Sequence, residues 1–327
     1  MCTSISYSNG GFCFGRNMDI EYSFDGRVVF TPRNFPFSFR RAGELSSHYA
    51  MIGTAAVADG YPLYADGMNE MGLCMAGLSL PESVYPDKVH RRPDEELREI
   101  APFEFIPWVL GKCGNLGDVR ALLKETALVN IPFSERLPLT PLHWHIADRS
   151  GSVAVECTAV GMRVYDDPAG VLTNSPELPF HLTDLRRYMS LTPAYPEPKR
   201  WGGIRLSPFG RGFGALGLPG DFSPPSRFVR AAFLLHNSPK ETDELRQVCQ
   251  LFHILDSVAM PHGAVYTEDG REESTLYSSC MYPESGSYYF RTYCGAVFSA
   301  GIRRPDPEAD RLTEYHVTGS LPIQRLN

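Results

Sequence analysis

The first twenty-two residues, MCTSISYSNGGFCFGRNMDIEY (1–22), decide how this chain begins to fold. Two runs of strand-like composition, TSISY and FCFGRNM, flank Asn9-Gly10, a dipeptide typical of the two-residue turn of a β-hairpin. Such a turn pairs residues whose numbers add to 19, which places Cys2 opposite Asn17. A bulge at Gly11 shifts the register by one and brings Arg16 onto the face of Cys2. Both registers place GRNMD beside Cys2.

Cys2 is the candidate nucleophile of the chain. Its side chain is small enough that we expect Met1 to be removed in the cell, which leaves a thiol and a free α-amine on one residue. An α-amine has an ordinary pKa of about 7.7–8.0, which suits it to accept the thiol proton. Arg16 would stabilise the thiolate and Asp19 would orient the ammonium. The alternatives are a chance cysteine on a frayed terminus and a surface ion pair; the predicted hairpin favours the functional interpretation.

Composition bounds the class of protein. Of the 327 residues, 43% are hydrophobic and 21% charged, and the net charge of −7 is spread along the chain without a basic stripe for nucleic acid. The sequence has neither a run of about 20 apolar residues nor a signal peptide, which predicts no membrane partner. The eight cysteines are scattered without a CxxC pair. We therefore expect reduced thiols in a cytoplasmic protein.

The order of elements predicts an α+β fold in a single domain, residues 2–327. Strand signals dominate the first 80 residues, a helix is predicted over residues 102–123, and strand signals return over residues 140–176. Two helices are predicted from Ser226 and Thr242, each with Ser or Thr as its cap, and strands close the chain. Residues 193–225 are rich in Pro and Gly and predict long ordered loops. Strands and helices grouped in blocks favour layers over alternating βαβ units.

Five blocks of sequence resemble the choloylglycine hydrolase family, which comprises bile salt hydrolases and penicillin V acylases. They span almost the whole chain in the family's order: MCTS at the start, FGRNMDIEYSF (14–24), YADGMNEMGL (64–73), VLTNSP (171–176) and GLPGDFSPPSRF (217–228). The resemblance implies an N-terminal-nucleophile hydrolase folded as a four-layer αββα sandwich. It also implies a homotetramer that needs no metal and no organic cofactor.

The resemblance implies roles for five residues. Cys2 matches the nucleophile, and Arg16 and Asp19 match the residues that contact its sulfur and its α-amine. Asn174 matches a side-chain donor of the oxyanion hole. Arg227 matches an arginine close to the catalytic centre. Without the resemblance, Asn174 would be interpreted as a turn residue and Arg227 as a surface charge at a helix start.

Ser79, in the block AGLSLP, departs from the family pattern. Bile salt hydrolases typically carry Asn at this position, and penicillin V acylases typically carry Tyr. The family uses the backbone N–H of this residue in the oxyanion hole, and Ser retains that N–H. We therefore expect hydrolysis to be preserved, while the side chain no longer indicates the subfamily.

A second group of residues matches positions that line the steroid pocket of the family; core packing is the alternative for each of them: Met18, Phe24, Phe133 and Leu137. The stretch GRGFG (210–214) is interpreted as a flexible active-site loop, on which Arg211 could attract the carboxylate or sulfonate of a conjugate. His143 and His145 form an HxH pair with no convincing third metal ligand, so a buried, hydrogen-bonded pair is predicted instead.

The activity implied by the resemblance is hydrolysis of glycine- or taurine-conjugated bile acids through a thioester. The G-x-G of residues 212–214 favours glycine conjugates. Two enzyme alternatives remain within the family, a penicillin V acylase and an acyl-homoserine lactone acylase. An alternative of another class is a bile-acid-binding protein that retains Met1 and has no activity.

Overall fold

The structure is a computed structural model that describes residues 1–88 and 97–317. The strands in these ranges are β1 Cys2–Tyr7, β2 Cys13–Ile20, β3 Arg27–Thr31, β4 Phe37–Phe39, β5 Gly43–Leu45, β6 Met51–Ala58, β7 Tyr61–Asn69, β8 Cys74–Ser79, β9 Arg98–Ile100, β10 Thr126–Leu128, β11 Leu142–Asp148, β12 Gly151–Thr158, β13 Gly161–Asp166, β14 Val171–Leu172, β15 Lys199–Trp201, β16 Ile204–Leu206, β17 Val265–Tyr266, β18 Glu272–Tyr282, β19 Ser287–Thr292, β20 Val297–Gly301 and β21 Thr313–Tyr315. The α-helices are α1 Phe105–Lys112, α2 Leu116–Leu122, α3 Leu178–Asp184, α4 Pro224–His236 and α5 Glu244–Asp256.

Two antiparallel sheets form the body of the molecule. The first, which we call the N-terminal sheet, has the strand order β14-β1-β2-β18-β19-β20, with β17 paired to β18. The second, the large sheet, has the order β13-β12-β11-β8-β7-β6-β3-β21. Because β1 pairs with β14 on one side and with β2 on the other, the strand that starts at Cys2 is fixed on both sides. A frayed N-terminus is therefore excluded.

The sheets and helices form four layers. One core cluster lies between the sheets and continues to α4 and α5, which contact β1, β2, β14 and β18 on the outer face of the N-terminal sheet. A second cluster joins the outer face of the large sheet to α1 and α2. Each strand can serve both a helix and the other sheet, because successive side chains point to opposite faces. The predicted α+β fold with αββα layers is confirmed.

The register of the first hairpin differs from the register of a two-residue turn. Cys2 pairs with Met18 and Tyr7 pairs with Cys13, so the paired numbers add to 20 and residues 8–12 form a longer loop. The predicted turn at Asn9-Gly10 is wrong. The shift of one residue places Arg16 opposite Ser4 and therefore on the face of Cys2, as in the second of the two predicted registers.

Contacts with a distant part of the chain explain this longer loop. The side chain of Asn9 donates to the carbonyl of Ser238 (2.8 Å), and its backbone carbonyl accepts from the N–H of Glu241 (3.2 Å). Gly10 has a φ of +107°, and a Cβ there would lie 1.8 Å from the carbonyl oxygen of Glu241. The loop is shaped by its packing on residues 238–241, which local turn propensity does not include.

Three further helix predictions need correction. The helix predicted over residues 102–123 is divided, because Cys113 is extended (φ −108°, ψ 130°) and Asn115 caps a new helix by accepting from the N–H of Asp118. The cap of α5 is Asp243 and not Thr242. The cap residue of α4 is Ser223, whose side chain makes no cap bond. Residues 193–225 contain a short hairpin, β15–β16, within the predicted loops.

All eight cysteines lie in the described ranges, and all are free thiols. Six are buried, and three of these, Cys13, Cys74 and Cys280, lie wholly inside the core. Burial raises the pKa of the Cys13 and Cys74 thiols well above the ordinary range. These two cysteines are therefore packing residues. Over residues 1–88 and 97–317, no helix combines the length and the apolar character needed to cross a bilayer.

Candidate active site

The sulfur of Cys2 lies against the guanidinium of Arg16. Arg16 Nη2 donates to Cys2 Sγ at 2.6 Å and lies 3.3 Å from Met18 Sδ, and the two sulfurs are 3.9 Å apart. Cys2 is only 3% exposed and Arg16 is fully buried. A cation in hydrogen-bond contact with sulfur, away from water, stabilises negative charge on that sulfur. This arrangement is suited to hold Cys2 as a thiolate.

Arg16 is held toward the sulfur by carbonyls of the large sheet, at the point where β7 and β8 stop pairing. Pairing of β7 with β8 ends at Asp66 and Ala76, and the next two carbonyls, of Ala65 and Gly77, accept from Arg16 Nη1 at 3.1 and 2.9 Å. Burial alone would lower the pKa of Arg16, but the negative groups around it, chiefly Cys2, raise it above its ordinary value. The guanidinium is therefore always charged and aimed at the sulfur by two backbone acceptors.

Asn174 and Arg227 meet at the backbone of Cys2. The side-chain oxygen of Asn174 accepts from the N–H of Cys2 (2.9 Å) and from Arg227 Nη2 (2.7 Å). Arg227 Nη1 donates to the carbonyl of Cys2 (2.6 Å) and to Thr3 Oγ1 (2.5 Å). Burial lowers the pKa of Arg227, partly offset by the charges of Asp19 and Cys2. These two residues, 172 and 225 positions away along the chain, fix the first strand at its start.

Ser79 presents its backbone toward Asn174. Its carbonyl accepts from Asn174 Nδ2 at 2.6 Å. The backbone N–H of the next residue, Leu80, donates to the carbonyl of Pro141 on the side of β11 (3.0 Å). Successive backbone N–H groups point to alternate sides of a strand. The N–H of Ser79 therefore points away from β11, to the same side as its carbonyl. The backbone donor that the resemblance implies faces the Asn174 side chain.

Asp19 lies at the N-terminus but is not bonded to the amine through its carboxylate. Its backbone carbonyl accepts from the Met1 ammonium (2.6 Å), and its backbone N–H donates to the Met1 carbonyl (3.0 Å). Its Oδ1 accepts from Thr275 Oγ1 (2.5 Å), while its buried Oδ2 has no partner among the described residues. Burial raises the pKa of Asp19, opposed most strongly by Arg227. One carboxylate oxygen thus remains free beside the N-terminus.

Two residues of this cluster were not predicted from the sequence. Glu273 forms an ion pair with the Met1 ammonium, and its side chain is buried; Thr275 holds Asp19. Both lie on β18, next to the end of β2. Burial lowers the pKa of the Met1 amine, and the nearby charges of Cys2 and Asp19 offset this only in part. Neither residue belongs to a sequence pattern that indicates a role, because their position depends on pairing between strands 250 residues apart in the chain.

The predicted pocket residues are placed in different surroundings. Met18 touches the sulfur of Cys2, and Phe24 packs against the core between the sheets. Phe133 packs edge-on against Phe103 with ring centroids 5.2 Å apart, and Leu137 is 42% exposed. Arg211 is exposed in the loop that follows β16. Of these five residues, Met18 is the one for which the structure shows contact with Cys2.

A cavity of about 570 Å³ lies next to the cluster. It is lined by Phe222 and Thr275, which are the hydrogen-bond partners of Arg227 and Asp19. None of the four apolar residues predicted to line a steroid pocket borders it. This cavity is therefore distinct from the predicted acyl pocket.

The HxH pair is buried and hydrogen bonded. His143 contacts Glu156 Oε1 (2.9 Å) and the carbonyl of Thr173 (3.0 Å), and His145 contacts Ser4 Oγ (2.8 Å) and Asp167 Oδ2 (3.2 Å). Within residues 1–88 and 97–317, no three His, Cys, Asp or Glu side chains are grouped as metal ligands would be. The prediction of a buried, hydrogen-bonded pair is confirmed.

The four-layer sandwich, with a cysteine at the start of a strand inside one sheet, is a fold of the N-terminal-nucleophile hydrolase type. Comparison with known proteins gives the family. A model of linear amide C–N hydrolases, choloylglycine hydrolase family, matches residues 2–299. The chain belongs to the choloylglycine hydrolase family and is a hydrolase of linear amide bonds, as the resemblance implied.

Three relatives show how far the likeness extends. A bile salt hydrolase/transferase of Lactiplantibacillus plantarum is 45% identical over 328 residues, covering 100% of both chains. The crystal structure of a C2A mutant of conjugated bile acid hydrolase from Clostridium perfringens superposes with a TM-score of 0.91 at 36% identity, over 100% of both chains. A penicillin V acylase structure from Agrobacterium tumefaciens shares the fold, with a TM-score of 0.76 at 23% identity over 96% of this chain and 90% of that chain.

Proposed function

We propose that this enzyme hydrolyses the amide bond of glycine- or taurine-conjugated bile acids, with Cys2 as the nucleophile. The observation that carries the proposal is the 2.6 Å contact between Arg16 Nη2 and the sulfur of Cys2. Cys2 is the first residue of β1 and becomes the N-terminus when Met1 is removed. The relatives named as bile salt and conjugated bile acid hydrolases support the substrate class.

In the proposed mature enzyme, the α-amine of Cys2 replaces the present amide N–H. Asn174 Oδ1 already accepts from this nitrogen, and the unpartnered Oδ2 of Asp19 is available to hold the ammonium. The amine takes the thiol proton, so that the base and the nucleophile belong to one residue. Arg16 balances the negative charge that appears on sulfur.

The reaction proceeds in two halves. The Cys2 thiolate attacks the amide carbonyl, and the negative charge that develops on its oxygen is stabilised by the second N–H of Asn174 Nδ2 and by the N–H of Ser79. The α-ammonium gives its proton to the amide nitrogen, the C–N bond breaks, and the amino acid leaves a thioester on sulfur. Water then attacks the thioester while the amine accepts its proton, which releases the bile acid and restores the thiol.

We expect Asn174→Ala and Ser79→Ala to differ sharply. Loss of a side-chain oxyanion donor costs about 2.7–4 kcal/mol, so Asn174→Ala should lower kcat by about 10²- to 10³-fold. Ser79→Ala keeps the backbone N–H and should change kcat by less than about threefold. The measurement is kcat on glycocholate with thermal unfolding as the control for folding. Equal, large losses for both variants would assign a direct role to the Ser79 hydroxyl.

We expect bile salts to be better substrates than penicillin V. Ser79 cannot stack on a phenoxy ring as a tyrosine can, and the residues matched to the acyl pocket are large and apolar, as a steroid face requires. Initial rates on glycocholate, taurocholate and penicillin V from one enzyme batch give the ratio of kcat/KM. Penicillin V ahead of both conjugates would support the acylase alternative, and an acyl-homoserine lactone can be added as a fourth substrate. Taurocholate ahead of glycocholate would overturn only the preference for glycine conjugates that was inferred from residues 212–214.

We further propose that the enzyme is a cytoplasmic homotetramer. The segment of residues 189–216, which contains β15 and β16, carries large apolar side chains that are mostly exposed: Met189, Trp201, Ile204, Phe209 and Leu216. Several exposed apolar residues in one segment are typical of a surface that another chain covers. A second copy of this chain is the occupant that the family resemblance implies.

A binding protein that retains Met1 and lacks activity is disfavoured by membership in a family of hydrolases.

A further inference from the structure

The segment that carries Asn174 is held by two buried histidines. His143, on β11, contacts the carbonyl of Thr173 through Nε2 at 3.0 Å, and His181, on α3, contacts the carbonyl of Asn174 through Nε2 at 2.9 Å. Both histidines are almost completely buried, at 0% and 1% exposure. Two consecutive carbonyls of the oxyanion segment are therefore fixed from two different elements.

The hydrogen-bond partners determine which protons these rings carry. Nε2 of His143 faces the carbonyl of Thr173, and Nδ1 contacts Glu156 Oε1, which also accepts from the N–H of Leu178 (3.1 Å). A carbonyl oxygen can only accept, so Nε2 of His143 carries the proton that it donates to Thr173. Burial lowers the pKa of His181, so this ring is neutral and donates from Nε2 to Asn174.

His181 is also fixed as a ring. It stacks on Phe228, with ring centroids 4.9 Å apart and planes 15° apart. Phe228 follows Arg227 on α4, and Arg227 donates to the side-chain oxygen of Asn174. The backbone and the side chain of Asn174 are thus held by one connected group of residues.

We propose that His143 and His181 are positioning residues that set the direction of the Asn174 side chain toward the oxyanion. The inference rests on the role proposed above for Asn174. Neither ring contacts the Cys2 sulfur, and both act on Asn174 through the backbone. An oxyanion donor is effective only when it is fixed in direction before the charge develops, which gives these buried contacts a catalytic consequence.

The experiment uses the mature enzyme and variants that remove one donor at a time. His181→Phe keeps the ring stacked on Phe228 and removes the donor to Asn174. His143→Asn retains an N–H near the position of Nδ1 and removes the donor to Thr173, whereas His143→Gln places an N–H near the position of Nε2. We expect His181→Phe and His143→Asn each to lower kcat about 10- to 100-fold with KM unchanged, and His143→Gln to recover most of the loss.

The matched control is His48→Asn. His48 is also buried and contacts two carbonyls, those of Tyr49 (2.8 Å) and Phe35 (2.9 Å), but it packs against Phe37 in the cluster on the outer face of the large sheet. This variant should leave kcat within about threefold of the parent enzyme. A loss in His48→Asn as large as that in His143→Asn would show that any buried histidine affects activity through the fold, and would overturn the inference.

A double-mutant cycle separates positioning from general structural damage. If the histidines act through Asn174, His181→Phe and His143→Asn should cost little further kcat in an Asn174→Ala background. Losses that multiply in that background would overturn the inference while leaving the role of Asn174 intact. An Asn174→Ala variant with full activity would overturn both. Thermal unfolding identifies a variant that does not fold. If the variants of one histidine do not fold, the kcat values of the variants of the other histidine test the inference.

Discussion

Cys2→Ser is expected to remove nearly all turnover on conjugated bile acids while the chain folds as before. A hydroxyl ionises far less readily than a thiol, and an α-amine is too weak a base to compensate. Serine fits the site because Cys2 is a small buried side chain between Met18 and Arg16. The measurement is kcat on glycocholate, followed by amino acid release, with thermal unfolding of the same sample.

Two other cysteines serve as controls for this substitution. Cys13 and Cys74 are buried in the core between the sheets, and their raised pKa values exclude a thiolate near neutral pH. Cys13→Ser and Cys74→Ser should keep most of the activity, although a buried hydroxyl can lower the melting temperature. Full activity in Cys2→Ser, or loss confined to Cys13→Ser, would move the nucleophile away from the N-terminus.

Local patterns predicted much of the fold and little of its detail. Alternating apolar residues and turn signals indicated most strands of both sheets, and their grouping indicated layers. The register of the first hairpin was not predictable from Asn9-Gly10, because residues 238–241 bind that loop from the far end of α4. The break in the helix predicted over residues 102–123 was a local signal that the prediction missed, since Asn115 caps a second helix after the extended Cys113.

The candidate site was predicted almost entirely through the family resemblance. Cys2 and Arg16 could be related by hairpin geometry, but nothing in the local sequence connects Asn174 or Arg227 with Cys2. Glu273 was missed because an acidic residue in a strand has no distinguishing pattern; its role is visible only where β18 lies beside β2. The HxH pair was correctly predicted as buried and hydrogen bonded, whereas its carbonyl partner at Thr173 depends on packing between layers.

The second large effect that we expect is the loss of hydrolysis when any residue precedes Cys2. In the chain that carries Met1, the nitrogen of Cys2 is an amide that donates to Asn174, and an amide nitrogen cannot accept the thiol proton. The Met1 ammonium does not replace it, because Glu273 and the carbonyl of Asp19 hold it. We therefore expect any residue before Cys2 to abolish hydrolysis without unfolding the enzyme.

The most direct test uses one polypeptide before and after exposure of Cys2. The enzyme is produced with a leader that a specific protease removes at the bond before Cys2, and mass spectrometry of the N-terminal peptide gives the fraction that begins at Cys2. Hydrolysis of glycocholate is measured on the same samples, with a Cys2→Ser chain treated identically as the control. We expect no activity before cleavage, and activity that rises in proportion to the fraction of chains beginning at Cys2 after it. Full activity in protein that still carries a residue before Cys2 would contradict this expectation.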